Sequence, residues 1–134
     1  MEIRRYTSEN VPKALGPYSP ATVINCGDYE IIETSGIIGL GVVEPKLVSE
    51  NIVEQTEAAL NTLNTILKEN NATLKDVVKV VIYVIDLEDY KNINETYMKY
   101  FPDNFPSRTC VQVSKLPANA KIEIEARAYR KVTK

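Results

Sequence analysis

The chain contains no histidine and only two cysteines among its 134 residues. Without histidine no Ser-His-Asp or Cys-His arrangement can be assembled, and Cys26 and Cys110 alone cannot make a tetrahedral zinc site. No metal and no cofactor are therefore expected, and any chemistry must come from Arg, Glu, Asp, Lys, Tyr, Ser, Cys or backbone groups. The two cysteines form no disulfide framework and are expected to be reduced, as in the cytoplasm. Behind the charged start, Met1-Glu2-Ile3-Arg4-Arg5, there is no apolar run, so no secretory leader is expected. Nor does any stretch stay apolar long enough to cross a bilayer. A basic run is missing too: the five arginines and eleven lysines are dispersed and the net charge is −2. With a pI near 5.3, there is no electrostatic reason to expect nucleic-acid or anionic-membrane partners. Gly36, Gly39 and Gly41 lie close together but lack the lysine and spacing of a phosphate loop.

What is present fits one domain over residues 1–134: 44% hydrophobic and 25% charged residues with no internal repeat. A short strand at Glu2–Tyr6 is followed by a loop in which Pro17 and Pro20 fix the backbone around Tyr18. Ala21–Cys26 and Tyr29–Ser35 read as a hairpin across Gly27-Asp28. Apolar residues at helical spacing predict a helix from Ser49, its expected N-cap, to about Asn70. Val77–Ile85 is a strand with two largely apolar faces, which demands cover on both. A second helix, Leu87–Phe101, follows the N-cap Asp86. Its apolar stripe includes Tyr90 and Tyr97 and has one polar member, Asn94, whose amide needs partners because an unsatisfied buried one costs roughly 1–3 kcal/mol.

Two C-terminal segments, Phe105–Val113 and Lys121–Tyr129, alternate as strands and are expected to pair through the turn around Leu116–Asn119. The order β-β-β-α-β-α-β-β predicts an α+β fold, a mixed sheet with two helices on one face. The other face would be bare in a single chain, so self-association is expected to cover it. If the apolar faces of both C-terminal strands point into one core, Arg108 and Glu123 share the opposite face. They are then either a wet cross-strand ion pair, worth roughly 0–1 kcal/mol, or a site in which the guanidinium holds a ligand carboxylate and the Glu handles a proton or a water.

Several segments are distinctive together: Gly16-Pro17-Tyr18, Thr34-Ser35-Gly36, Glu54-Gln55-Thr56, Val84–Leu87, Asn94 with Tyr97, Phe105–Val111, and Leu116-Pro117 with Lys121–Ala126. In order and approximate spacing they resemble the RidA/YjgF family over nearly the whole chain. The resemblance implies a chorismate-mutase-like fold, a homotrimer, and active sites in the clefts between subunits. It implies hydrolysis of reactive enamine/imine intermediates of the 2-aminoacrylate/2-iminopropanoate type to 2-keto acids and ammonia. In that scheme Arg108 clamps the substrate carboxylate and Glu123 activates or orients the water. The Cys110 backbone lines the water site, Tyr18, Ser35 and Gly36 shape the pocket, and Asn94 stabilises it. Where the family usually carries Gln after Ser-Gly, this chain has Ile37, which is expected to remove a polar group from the pocket's edge. A protein that binds 2-keto acids through Arg108 without turnover is the alternative. A ribonuclease, a reading also attached to the family, is disfavoured by the acidic pI and the lack of a basic, aromatic-interleaved surface.

Overall fold

Alternating apolar residues build a seven-stranded sheet, and two amphipathic helices cover one of its faces. The computed structural model describes residues 1–132. Strands β1 (Glu2–Tyr6), β2 (Ala21–Asn25) and β3 (Tyr29–Thr34) form an antiparallel meander, followed by the two-residue β4 (Ile37–Ile38) and helix α1 (Ile52–Glu69). Then come β5 (Val77–Val84), α2 (Tyr90–Tyr100), β6 (Ser107–Gln112) and β7 (Ile122–Lys131). The lateral order is β1-β2-β3-β7-β5-β6, with β4 also paired to β7. Among the described strands only β5 and β6 run parallel, because α2 carries the chain back between them.

The two C-terminal strands are therefore not partners: β5 lies between β6 and β7 and pairs with both. The two-sided apolar strand takes this more central place, and the loop through Pro117–Asn119 carries the chain across it to β7. The facing of β6 also differs from expectation. In register, Arg108 lies beside Val80 and Cys110 beside Ile82, and both Val80 and Ile82 are fully buried under the helices. Arg108 and Cys110 thus point to the helical face. Glu123 is in register with Tyr83 and points to the open face, between the buried Ile122 and Ile124. Within one chain the two residues are on opposite sides of the sheet, roughly 14 Å apart by strand spacing and rise.

The core joins Val80, Ile82, Ile122 and Ile124 of the sheet to Leu60, Leu63 and Ile66 of α1 and Ile93 of α2. Asn51, not Ser49, caps α1: its Oδ1 accepts from the Glu54 N–H at 3.0 Å. The Ser49 hydroxyl instead accepts from the Asn51 N–H and donates to the Glu54 carboxylate. Asp86 caps a 3₁₀ turn at Leu87–Asp89 that leads into α2. A bulge between Val77 and Lys79 turns Val77 into the core and leaves Val78 exposed. On the open face, Val81 and Tyr83 of β5 lie half-buried beside Glu123 and Glu125, with no described element packed over them.

Candidate functional site

Arg108 is held by α2. Its Nη2 donates to Asn94 Oδ1 at 2.8 Å and to the Tyr90 hydroxyl at 3.0 Å. Its Cζ stands 4.8 Å from the centre of the Tyr97 ring and 5.5 Å from that of Tyr90. Each of these partners is neutral, and no carboxylate among the described residues pairs with the guanidinium. The result is a half-buried cation, fixed in place with its charge uncompensated, which is the electrostatic requirement for an anion site. Asn94 is thus the satisfied polar member of the α2 stripe. The Tyr97 hydroxyl is buried without a hydrogen-bond partner among the described residues. Burial pushes its pKa up to about 12, against a smaller lowering by Arg108. Asn94, Tyr97, Met98, Phe105, Pro106 and Arg108 line a groove of about 350 Å³, which the exposed Phe105 and Met98 make largely apolar.

The edge of β6 adds backbone groups. The Val113 N–H donates to the Val84 carbonyl at 2.7 Å, so alternate residues along the strand turn the other way. Arg108, Cys110 and Gln112 therefore direct N–H and C=O to the free edge. The Cys110 thiol is half-buried against the core, and burial raises its pKa more than nearby Arg108 lowers it. It is a packing group, and its backbone is the part available to a ligand.

Glu123 belongs to a second cluster. Its carboxylate rests on Gly36: a Cβ there would lie 2.6 Å from both the carboxyl carbon and Oε2. No donor among the described residues hydrogen-bonds it. Burial, and secondarily the charge of Glu125, raises its pKa above the usual carboxylate range, as suits a group that exchanges protons. The Glu125 carboxylate itself is bonded by the Tyr83 hydroxyl. Next to Gly36, the Ser35 hydroxyl donates to the Ser19 carbonyl at 2.6 Å, and the Tyr18 hydroxyl accepts from the Leu15 N–H at 3.2 Å. The first bond ties the Tyr18 loop to the segment just before β4, and the second closes within the loop. Tyr18, Ser35, Gly36 and Ile37 share the wall of a small niche of about 40 Å³. The Ile37 side chain is 8% exposed and in register with Ile124, so it faces the core rather than the Glu123 side.

The sequence-predicted residues therefore gather into two groups, each a candidate half-site. Arg108, Asn94 and the Cys110 edge form one; in the other, Gly36 is common to the Glu123 carboxylate and to the niche walled by Tyr18, Ser35 and Ile37. Tyr90 is the residue that sequence reasoning places only in the α2 apolar stripe, although its spacing from Asn94 and Tyr97 puts all three on one helix face. Among the described residues no group of three His, Cys, Asp or Glu side chains could hold a metal ion. No described helix is long and apolar enough to cross a membrane.

A sequence profile of the family named Endoribonuclease L-PSP matches residues 8–130. The chain is 45% identical over 119 residues to Reactive Intermediate Deaminase A, chloroplastic, of Arabidopsis thaliana, covering 89% of this chain and 62% of that protein. It is 39% identical over 129 residues to the human 2-iminobutanoate/2-iminopropanoate deaminase, covering 96% and 91% respectively. A crystal structure of a provisionally assigned endoribonuclease from Thermotoga maritima superposes with a TM-score of 0.89 at 39% identity, covering 98% of this chain and all of that one.

Proposed function

The chain belongs to the YjgF/RidA family, and from that premise we propose that it is a hydrolytic deaminase of reactive enamine/imine intermediates, with each site assembled from the two half-sites of neighbouring copies. The observation that carries this reading is Arg108, immobilised by neutral partners with its charge unpaired. A 2-imino acid supplies the missing carboxylate. Relatives named a reactive intermediate deaminase, at 45% identity, and a 2-iminobutanoate/2-iminopropanoate deaminase, at 39%, support the reaction class.

The chemistry needs little more. The enamine tautomerises to its imine, and water adds to the C=N carbon, giving a carbinolamine. Collapse of that intermediate expels ammonia and leaves the 2-keto acid. Arg108 and the Cys110 N–H orient the carboxylate so that the imine carbon meets the water in one geometry. Glu123 takes a proton from the water as it attacks and returns one to the departing nitrogen. Its raised pKa suits both transfers, since the group is neither a very weak base nor a very weak acid. The imine is already electrophilic, so no covalent nucleophile is required.

Because Arg108 and Glu123 point to opposite faces of their own sheet, one copy supplies the clamp and another the carboxylate. The homotrimer implied by the family resemblance is the assembly we propose, and it would also cover the open sheet face. Ligand binding without turnover is the second reading. One observation favours it: the Arg108 half-site is complete in a single chain. The family's name speaks of a ribonuclease, against which stand a pI near 5.3 and the absence of a basic surface run.

The test is keto-acid release from 2-aminoacrylate generated by a pyridoxal-phosphate dehydratase. The protein should accelerate release above buffer, and Arg108→Ala should remove the acceleration. Saturable pyruvate binding with no acceleration would select the binding reading instead.

A further inference from the structure

The way Arg108 is held limits how it can grip a ligand. A terminal guanidinium nitrogen carries two hydrogens, and Nη2 donates to both Tyr90 and Asn94, so both are committed. A guanidinium offers parallel donors along two edges, Nε with Nη2 and Nη1 with Nη2. Each edge needs an Nη2 hydrogen. With Tyr90 and Asn94 in place, a carboxylate can be met only by single bonds from Nη1 or Nε.

We propose that Tyr90 is a latch on Arg108: its hydroxyl occupies one Nη2 hydrogen and yields it when a ligand carboxylate closes a bidentate pair. This rests on the reading of Arg108 as a carboxylate clamp and adds a positioning residue to it. Tyr90 rather than Asn94 is the partner that lets go. Its bond is the longer, 3.0 Å against 2.8 Å. Its side chain is also exposed, so water replaces the lost bond at once, whereas the half-buried Asn94 would be left less well solvated. The exchange is favourable because the bond to a carboxylate joins two opposite charges, whereas the bond to Tyr90 joins a charge to a neutral hydroxyl. The Tyr97 ring, buried beneath the guanidinium and stacked on Phe101, remains as the platform that keeps its plane. Asn94 sets which edge is presented, and Tyr90 sets how easily it opens.

The experiment is calorimetric titration of the full-length protein with pyruvate, comparing wild type, Tyr90→Phe and Arg108→Ala. Phenylalanine keeps the ring beside the guanidinium and removes only the hydroxyl, so the Nη2 hydrogen is free from the start. Tyr90→Phe should bind pyruvate roughly threefold to tenfold more tightly, the net worth of one solvent-exposed hydrogen bond that binding no longer has to break. In imine turnover the gain should appear in KM rather than kcat, because the carboxylate is held alike in ground and transition states. Equal or weaker binding by Tyr90→Phe, with wild type binding and Arg108→Ala not, would overturn the latch and leave the clamp. Binding by none of the three, or equally by all three, would overturn the clamp and the latch together.

Discussion

The carboxylate of Glu123 lies against Gly36 so closely that a methyl group on residue 36 would sit 2.6 Å from its carboxyl carbon. The contact is to the far end of a flexible side chain, and the Gly36 backbone is not among the positive-φ positions. Gly36→Ala should therefore fold with little change in stability while pushing the carboxylate out of place. A displacement of about 1 Å at a reacting group can cost on the order of 10²-fold in rate. Imine hydrolysis should fall by that order, with pyruvate affinity reduced far less. The paired rate and calorimetric measurements check this.

Glu123→Gln separates activity from stability. Because the folded-state pKa is raised, the folded protein holds more proton than the unfolded chain between the two pKa values. Stability is then lost as pH rises through that window, and at neutral pH the ionised Glu123 is a net cost. Replacing it by the neutral isostere should raise Tm at pH 7, with the difference from wild type shrinking as pH drops below the window. Hydrolysis should fall roughly 10²- to 10⁴-fold, the usual span for a general base. Wild-type activity should itself decline on acidification, with a midpoint above the usual carboxylate range. Melting curves and a pH–rate profile of both proteins test these signs.

Arg108→Lys keeps a positive charge but loses the planar fork and its fit between Asn94 and the Tyr97 ring. It should retain part of the attraction for pyruvate and lose on the order of tenfold to a hundredfold in kcat/KM. Arg108→Ala should lose on the order of a hundredfold or more. A lysine variant as active as wild type would show that charge alone, without orientation, suffices.

Gln55 tests how the Glu123 side is held. It is fully buried in α1; its Nε2 donates to the Ser49 carbonyl and its Oε1 accepts from the Lys121 N–H, each at 2.9 Å. That ties the start of β7 to the helix two residues before Glu123. Gln55→Ala strands two backbone groups and should destabilise the protein by roughly 2–4 kcal/mol. Denaturant midpoints read this directly.

Much of this arrangement was legible in the residues, and the exceptions share a cause. Period-two and helical spacing locate every long element to within a few residues, and the expected stop at Asn70 coincides with the C-cap of α1. Ser49 and Asn51 are both capping types two positions apart, and spacing alone did not choose between them. Alternation tells which side chains in a strand share a face, but not which face turns inward or which strand lies beside which. Hence alternation alone suggests Arg108 opposite the helices and β6 beside β7, whereas β5 fills the gap between those strands. The chemistry of the site was legible through the family resemblance of the segments around Arg108 and Glu123; alternation by itself leaves that pair open between a wet ion pair and a site. The contact of Tyr90 with Arg108 is hidden in the sequence because an aromatic residue on an apolar helix stripe usually serves packing alone.

Placing Arg108 and Glu123 on opposite faces makes the central claim one about two copies. Arg108→Ala and Glu123→Gln, each inactive alone, are co-expressed and purified as mixed oligomers, and imine hydrolysis is measured. Sites formed between an Arg108→Ala copy giving Glu123 and a Glu123→Gln copy giving Arg108 are intact, so activity should reappear well above either variant alone. Mixed oligomers as inactive as their parents would contradict the shared site and require both residues to act from the same chain.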